Sequence, residues 1–424
     1  MPTSPTFKRR KGDWLERMPE PAVDGNGHGN GNGVSESVRK DRLLARRLLG
    51  VEMSGIRKMF ELAGADSINM GLGEPDFEPP GNVANALADA VREGHNGYGP
   101  TLGLPDLRRA LSERINKKWR EDVAPENIII TAGATQALMV LCQTFIDHGD
   151  EALIPNPGFV LYGPQTRICG GFPVEYTLHE ENNWLPDVEE IKRLITPRTK
   201  LLFVNTPGNP TGQVYPEETV RAITDIAEDK DIIVVSDEVY DILTYDEKHH
   251  SFLAHGDNVI WVNSFSKTYA MTGWRLGCLA TKHEYVKAIE RMHYHVIACP
   301  PTPLQWAGVE ALRGPQDPVD AMVTEFKQRR DLISARINEI PGFSMPKPQG
   351  AFYAFPRYDQ RIKSKEFALK LAQSGLVCTP GSVFGSAGEN HLRFSYACST
   401  AEIERGMDVL EKVAKSVPRN GNAR

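Results

Sequence analysis

Between about residue 80 and residue 312, short apolar runs alternate with stretches whose apolar positions recur every three or four residues. The runs NIIIT (127–131), EALIP (151–155), LLFVN (201–205), DIIVVSD (231–237) and VIWVN (259–263) are rich in Ile and Val. Continuous apolar runs of that kind suit strands buried on both faces. The stretches between them, such as TQALMVLCQTFIDHG and PEETVRAITDIAED, carry the helical period. This alternation predicts an α/β fold, with a largely parallel sheet between helices. The last hundred residues change style. There PKPQGAFYAFP, SKEFALKLAQSG, HLRFSYA and a closing amphipathic stretch predict a smaller α+β lobe. No internal repeat is visible.

The N-terminal end reads differently. Residues 1–38 hold the basic cluster KRRK and the run DGNGHGNGNG, which bury too little apolar surface to offset the entropy of ordering and predict a flexible tail. From Arg39, RKDRLLARRLLG is helix-prone and basic on one face. Packing on its own fold or on a second subunit is expected of it, rather than a membrane surface. The predicted organisation is a tail (1–38), a large domain (81–312), and a small domain assembled from 39–80 and 313–424.

Composition narrows the function. A net charge of -6 gives no reason to expect nucleic acid as a partner, and no apolar run approaches the roughly 20 residues of a membrane span. Cys142, Cys169, Cys278, Cys299, Cys378 and Cys398 are scattered, with no zinc-type spacing. No metal and no disulfide framework are expected, and a reducing cytoplasm suits the chain.

The strand ends carry the chemistry. After NIIIT the turn AGAT opens a helix, aiming the amides of Gly133, Ala134 and Thr135 at an anion. After LLFVN a Pro/Gly loop presents Asn209. DIIVVSD ends on Asp237, with Tyr240 three residues on. After VIWVN, the stretch NSFSKTYAMTGWRLG (263–277) places Lys267 among Ser264, Ser266 and Arg275. A phosphate against the helix start would take Ser264, Ser266 and the planar fork of Arg275. A lysine desolvated near other cations becomes nucleophilic at neutral pH. An aspartate opposite suits a pyridinium nitrogen, and Asn209 with Tyr240 suits a ring oxygen. Phosphate, aldehyde, ring nitrogen and phenolic oxygen together describe pyridoxal 5'-phosphate, PLP.

At this point the chain resembles the fold-type-I PLP enzymes, specifically the class I/II aminotransferases near aspartate aminotransferase. GLGEPDF, YGPTLGLPDLR, TAGATQAL, NPGFVLY, NTPGNPTG, SDEVY, SFSKTYAMTGWRLG and HLRFSYA follow one another in the family's order, from about Ser54 to about Val413. The resemblance implies a large domain with a mostly parallel seven-stranded sheet, and a smaller α+β domain built from both chain ends. It implies that Lys267 binds the cofactor aldehyde and that Asp237 partners the ring nitrogen. Asn209 and Tyr240 would hold the ring oxygen. Ser264, Ser266, Arg275 and the amides at Ala134 and Thr135 would hold the phosphate, and Phe159 would stack on the ring. Tyr98 would reach the phosphate of a neighbouring subunit in a homodimer. Arg393, with the Gly73 backbone beside it and Asn209, would bind the substrate carboxylate.

The implied reaction moves an α-amino group from an L-amino acid to a 2-oxo acid, with 2-oxoglutarate as the default acceptor, in a ping-pong cycle. Thr135 stands where some relatives of this type place a lysine, and the segment YHVIACPPTPLQWAG offers no arginine for a distal carboxylate. Aspartate, alanine and aromatic donors therefore all stay open. A PLP-dependent C–S β-lyase is the alternative, since the same cofactor constellation supports β-elimination. An amino-acid-sensing regulator is disfavoured, because the tail is too short for a DNA-binding module.

Overall fold

The computed structural model describes residues 45–48, 51, 66–119, 122–281 and 284–419. The predicted tail and most of the basic stretch after Arg39 lie outside the described residues. A short 3-10 turn, Arg46–Leu48, falls within that stretch.

The described residues from Asp66 onward belong to one compact unit, built around a seven-stranded sheet. Its strands are β1 (Ile128–Thr131), β2 (Glu151–Asn156), β3 (Phe172–Thr177), β4 (Thr199–Asn205), β5 (Ile233–Asp237), β6 (Val259–Ser264) and β7 (Gly277–Thr281), in the spatial order β1-β7-β6-β5-β4-β2-β3. From β3 to β6 every neighbouring pair is parallel, while β7 runs antiparallel to both β6 and β1.

Five of these strands are the ones the sequence pattern predicts. β5 starts later than the pattern suggests, because Asp231 takes a positive φ of 51° and belongs to the turn closing the preceding helix, Glu217–Asp229. β3 escapes the pattern because it is an edge strand, mostly accessible and carrying Pro173, which an edge tolerates. β7 escapes it because GCLAT is short and made largely of small residues, although all five are buried.

The apolar runs serve both faces of the sheet, as a period of two requires. Leu201 and Phe203 pack with Leu138 and Leu141 of the helix Ala134–Phe145. Leu202 and Val204 face the other way, onto Val220, Ile223 and Ala227 of Glu217–Asp229. Each such side chain, fully withdrawn from water, contributes about 1.5–3 kcal/mol. A further core joins distant parts of the chain. Ile68 and Met70 pack with Phe326 and Ile333 of the helix Asp317–Glu339 and with Met407 and Leu410 of the helix Thr400–Ser416. Strand Ile68–Asn69 pairs in parallel with Leu376–Val377, and strand Leu392–Ser395 lies between Tyr353–Ala354 and Thr379–Pro380. Arg393 is thereby held in a strand rather than a loop.

Candidate active site

The strand ends open on a cavity of about 250 Å³, whose walls include Gly73, Ala134, Thr135, Phe159, Asn209, Asp237, Tyr240, Ser264, Ser266, Lys267, Arg275 and Arg393. Of the residues expected from the sequence, two stand apart. Gly133 adjoins the wall through Ala134, and Tyr98 does not line the cavity and is 95% exposed on this chain.

One end of the cavity is built for an anion. Gly133, at φ 81°, precedes the helix Ala134–Phe145, whose first amides have no side-chain cap. Those amides and the helix dipole favour negative charge. A Cβ on Gly133 would lie 2.4 Å from a terminal nitrogen of Arg275, and one on Gly277 would lie 2.7 Å from the amide nitrogen of Ala134. Glycine at both positions lets backbone and guanidinium close on one point. Arg275 itself takes a left-handed conformation and donates from Nη1 to the carbonyl of Thr272 at 2.9 Å.

The middle is set by the paired ends of β4 and β5, where Asn205 lies opposite Asp237. Asn205 donates from Nδ2 to the Asp237 carbonyl at 2.9 Å and accepts at Oδ1 from the Asn209 amide at 2.7 Å. One side chain thus fixes the Pro/Gly loop to the aspartate. Asp237 Oδ2 accepts from the Tyr162 hydroxyl at 2.8 Å, while Oδ1 is buried and has no partner. Burial raises this carboxyl from 3.8 to about 6, against the Tyr162 hydrogen bond, which lowers it. Lys267 Nζ donates to the Gly73 carbonyl. Its pKa falls from 10.5 to about 8, chiefly through desolvation; Glu74 opposes the shift, and Arg393 and Arg275 reinforce it.

The far end is cationic. Arg393 is 1% exposed, donating to Asn209 Oδ1 at 3.0 Å and to the Gly71 carbonyl at 2.6 Å. Its guanidinium lies 4.5 Å from the ring centre of Tyr353, a cation–π contact strengthened by burial. The Tyr353 hydroxyl meets that of Tyr240 at 2.8 Å. It also sits where a Cβ on Gly73 would fall, so this glycine clears space for the tyrosine.

Tyr162, Asn205, Thr272 and Tyr353 are site residues that the sequence reading left unassigned. Tyr162 and Tyr353 stand inside NPGFVLY and QGAFYAFP, yet an aromatic in an apolar segment carries no mark separating a site residue from a core residue.

The residues fit PLP. The orphaned Asp237 Oδ1 is an acceptor awaiting a ring N–H, the uncapped helix start and Arg275 suit a phosphate, and the lysine between them has a lowered pKa. Fold and site together define a PLP-dependent transferase of fold type I. Residues 65–410 match the family model described as aminotransferase class I and II. A probable aspartate aminotransferase of Methanocaldococcus jannaschii is 43% identical over 88% of this chain and all of its own length. An aromatic-amino-acid aminotransferase of Thermococcus litoralis is 40% identical over 88% of this chain and 98% of its own. Among solved structures, an alanine aminotransferase of Pyrococcus furiosus superposes with a TM-score of 0.85 at 38% identity, covering 88% of this chain and 100% of that one. The chain belongs to the class I and II aminotransferases, and like that family it is PLP-dependent. The relatives named here are all aminotransferases, so the lyase alternative is not favoured.

Proposed function

We propose that the cavity transfers the α-amino group of an L-amino acid to a 2-oxo acid, with 2-oxoglutarate as acceptor, in a ping-pong cycle centred on Lys267. The observation that carries this reading is the convergence on one cavity of Lys267, the unpartnered oxygen of Asp237, the anion site at Arg275 and the buried Arg393. When bound, PLP supplies an electron sink that lets the Cα–H bond of an amino acid break as a proton loss. The unpartnered Asp237 Oδ1 would accept from the ring N–H and keep that nitrogen charged. Ser264, Ser266, Arg275 and the amides of Ala134 and Thr135, next to Gly133, would hold the phosphate. Asn209 and Tyr240 would hold the ring oxygen, and Phe159 would cover the ring face.

Lys267 would hold the cofactor's aldehyde, and its Nζ, once free, would be the base that carries the Cα proton. A pKa of about 8 leaves part of this amine neutral near pH 7, as a base needs. Arg393 grips the α-carboxylate with its planar fork beside the Gly73 backbone, fixing which bond of Cα faces Lys267. The donor is aspartate, alanine or an aromatic amino acid, the three kinds named among the relatives above. The exposed Tyr98 suits a homodimer in which it completes the phosphate site of the partner. We place the protein in the cytoplasm: its cysteines are free, and no described helix is long and apolar enough to cross a membrane.

Arg393→Ala tests the substrate half of this reading. It should raise KM for every donor by about 10- to 100-fold, the loss expected for a charge-assisted pair. A defect confined to one donor would mean that Arg393 reads a side chain instead.

A further inference from the structure

We propose that Tyr162 is a positioning residue that acts through Asp237, clamping one carboxylate oxygen so that the other faces the cavity where the cofactor ring nitrogen would lie. This inference rests on the reading that Asp237 partners that nitrogen. The Tyr162 hydroxyl donates to Oδ2 at 2.8 Å, and Oδ1 is left buried without a partner. A carboxylate at the end of a strand can rotate about its last bond. A donor on one oxygen removes that freedom and leaves the second oxygen's lone pairs for a single acceptor task.

Tyr162 is itself immobilised. Its ring stacks on Phe203 of β4, with centres 5.0 Å apart and planes 20° apart, and meets the edge of Phe159 at 5.5 Å. Its backbone carbonyl accepts from the Thr166 hydroxyl at 2.8 Å. The side chain is 1% exposed, so water does not compete for the hydroxyl. Burial and the neighbouring Asp237 push the phenol well above its ordinary value of 10, so it remains a neutral donor throughout the working range.

The aspartate needs this partner. Burial disfavours its charge, and Glu238 beside it does the same; Tyr162, the Val239 amide and Lys267 favour the charge. Tyr240 on the same segment, Tyr353, Arg275 and Arg393 on the cavity wall, and Glu74 acting on Lys267 are further titrating and charged groups of the site. Tyr162 supplies the leading opposition to desolvation without occupying the cavity, where a cationic partner would obstruct the ring.

The test is made on the cofactor-free protein as well as on the holoenzyme. Difference infrared spectroscopy follows protonation of the Asp237 carboxyl, with Asp237→Asn identifying its band. Tyr162→Phe should move that titration upward by about one pH unit, the size of one lost charge-favouring hydrogen bond. Replacement of Tyr162 by 3-fluorotyrosine, a stronger donor of nearly the same shape, should move it downward, which also covers a failure of the phenylalanine variant to fold. In the holoenzyme, Tyr162→Phe should lower kcat about tenfold with KM changed less than twofold, and fluorotyrosine should not. An unmoved Asp237 titration in both variants, with Asp237→Asn inactive, would overturn the role of Tyr162 alone. A near-normal rate in Asp237→Asn would overturn the reading of Asp237 beneath it.

Discussion

At the level of single residues, desolvation acts on Lys267 and Asp237 of the cavity in opposite directions. It lowers Lys267 to about 8 and raises Asp237 to about 6, because in both cases it disfavours the charged form. In the cofactor-free protein, Lys267 should therefore react with an amine-selective acylating reagent along a curve with its midpoint near pH 8, followed by mass spectrometry of the labelled peptide. Arg275→Gln removes a cation that lowers this pKa and should shift the midpoint upward. A midpoint near 10.5 would contradict the desolvated environment. Stability is linked to the same shifts. A buried base with a lowered pKa costs folding free energy in full below about pH 8, the cost fading toward 10.5, and an acid with a raised pKa costs it in full above about pH 6, the cost fading toward 3.8. Near pH 7 both costs are present together in the empty site, and binding of a cofactor that uses both groups relieves them.

At the level of elements, the sheet was legible where burial leaves a continuous apolar run. β1, β2, β4, β5 and β6 announce themselves in this way, and the chemistry collects at their ends because a parallel sheet exposes its loops there. β3 and β7 were not legible: one is an accessible edge and the other a run of small residues. Among the site residues, Lys267 and Asp237 drew attention because a polar group at the end of an apolar run needs a reason, Asn209 because a Pro/Gly loop presents it, and Arg393 only through the family resemblance. Tyr162 and Tyr353 were not, since their hydroxyls matter only through partners that are distant in sequence.

The segment from Asp237 to Tyr240 is anchored from behind by Glu238. Its buried carboxylate accepts from Ser236 at 2.7 Å, the Phe252 amide at 3.0 Å, Ser251 and Trp261 Nε1 at 3.1 Å, and it pairs with His249 Nε2 at 2.6 Å. Removing one member strands the others without water. Glu238→Ala should cost about 3–5 kcal/mol in denaturant unfolding, and Glu238→Gln less, because its amide keeps one acceptor. A loss below about 1 kcal/mol for Glu238→Ala would contradict this anchoring.

At the level of the whole molecule, the exposed Tyr98 and the cavity it does not reach pose one question. If sites are shared between subunits, a Tyr98→Ala protein and a Lys267→Ala protein, each weak or inactive alone, should recover activity when dissociated and reassociated together. One site of each mixed dimer would then hold both intact residues. Mixtures no more active than their components would show each chain acting alone. Amino-group transfer is tested most directly by a single turnover of the PLP-loaded protein with a panel of amino acids and no 2-oxo acid. One group of donors should convert the cofactor fully to its amine form, releasing one 2-oxo acid per site and no ammonia. Ammonia and pyruvate accumulating while the cofactor returns to its starting spectrum would contradict amino-group transfer.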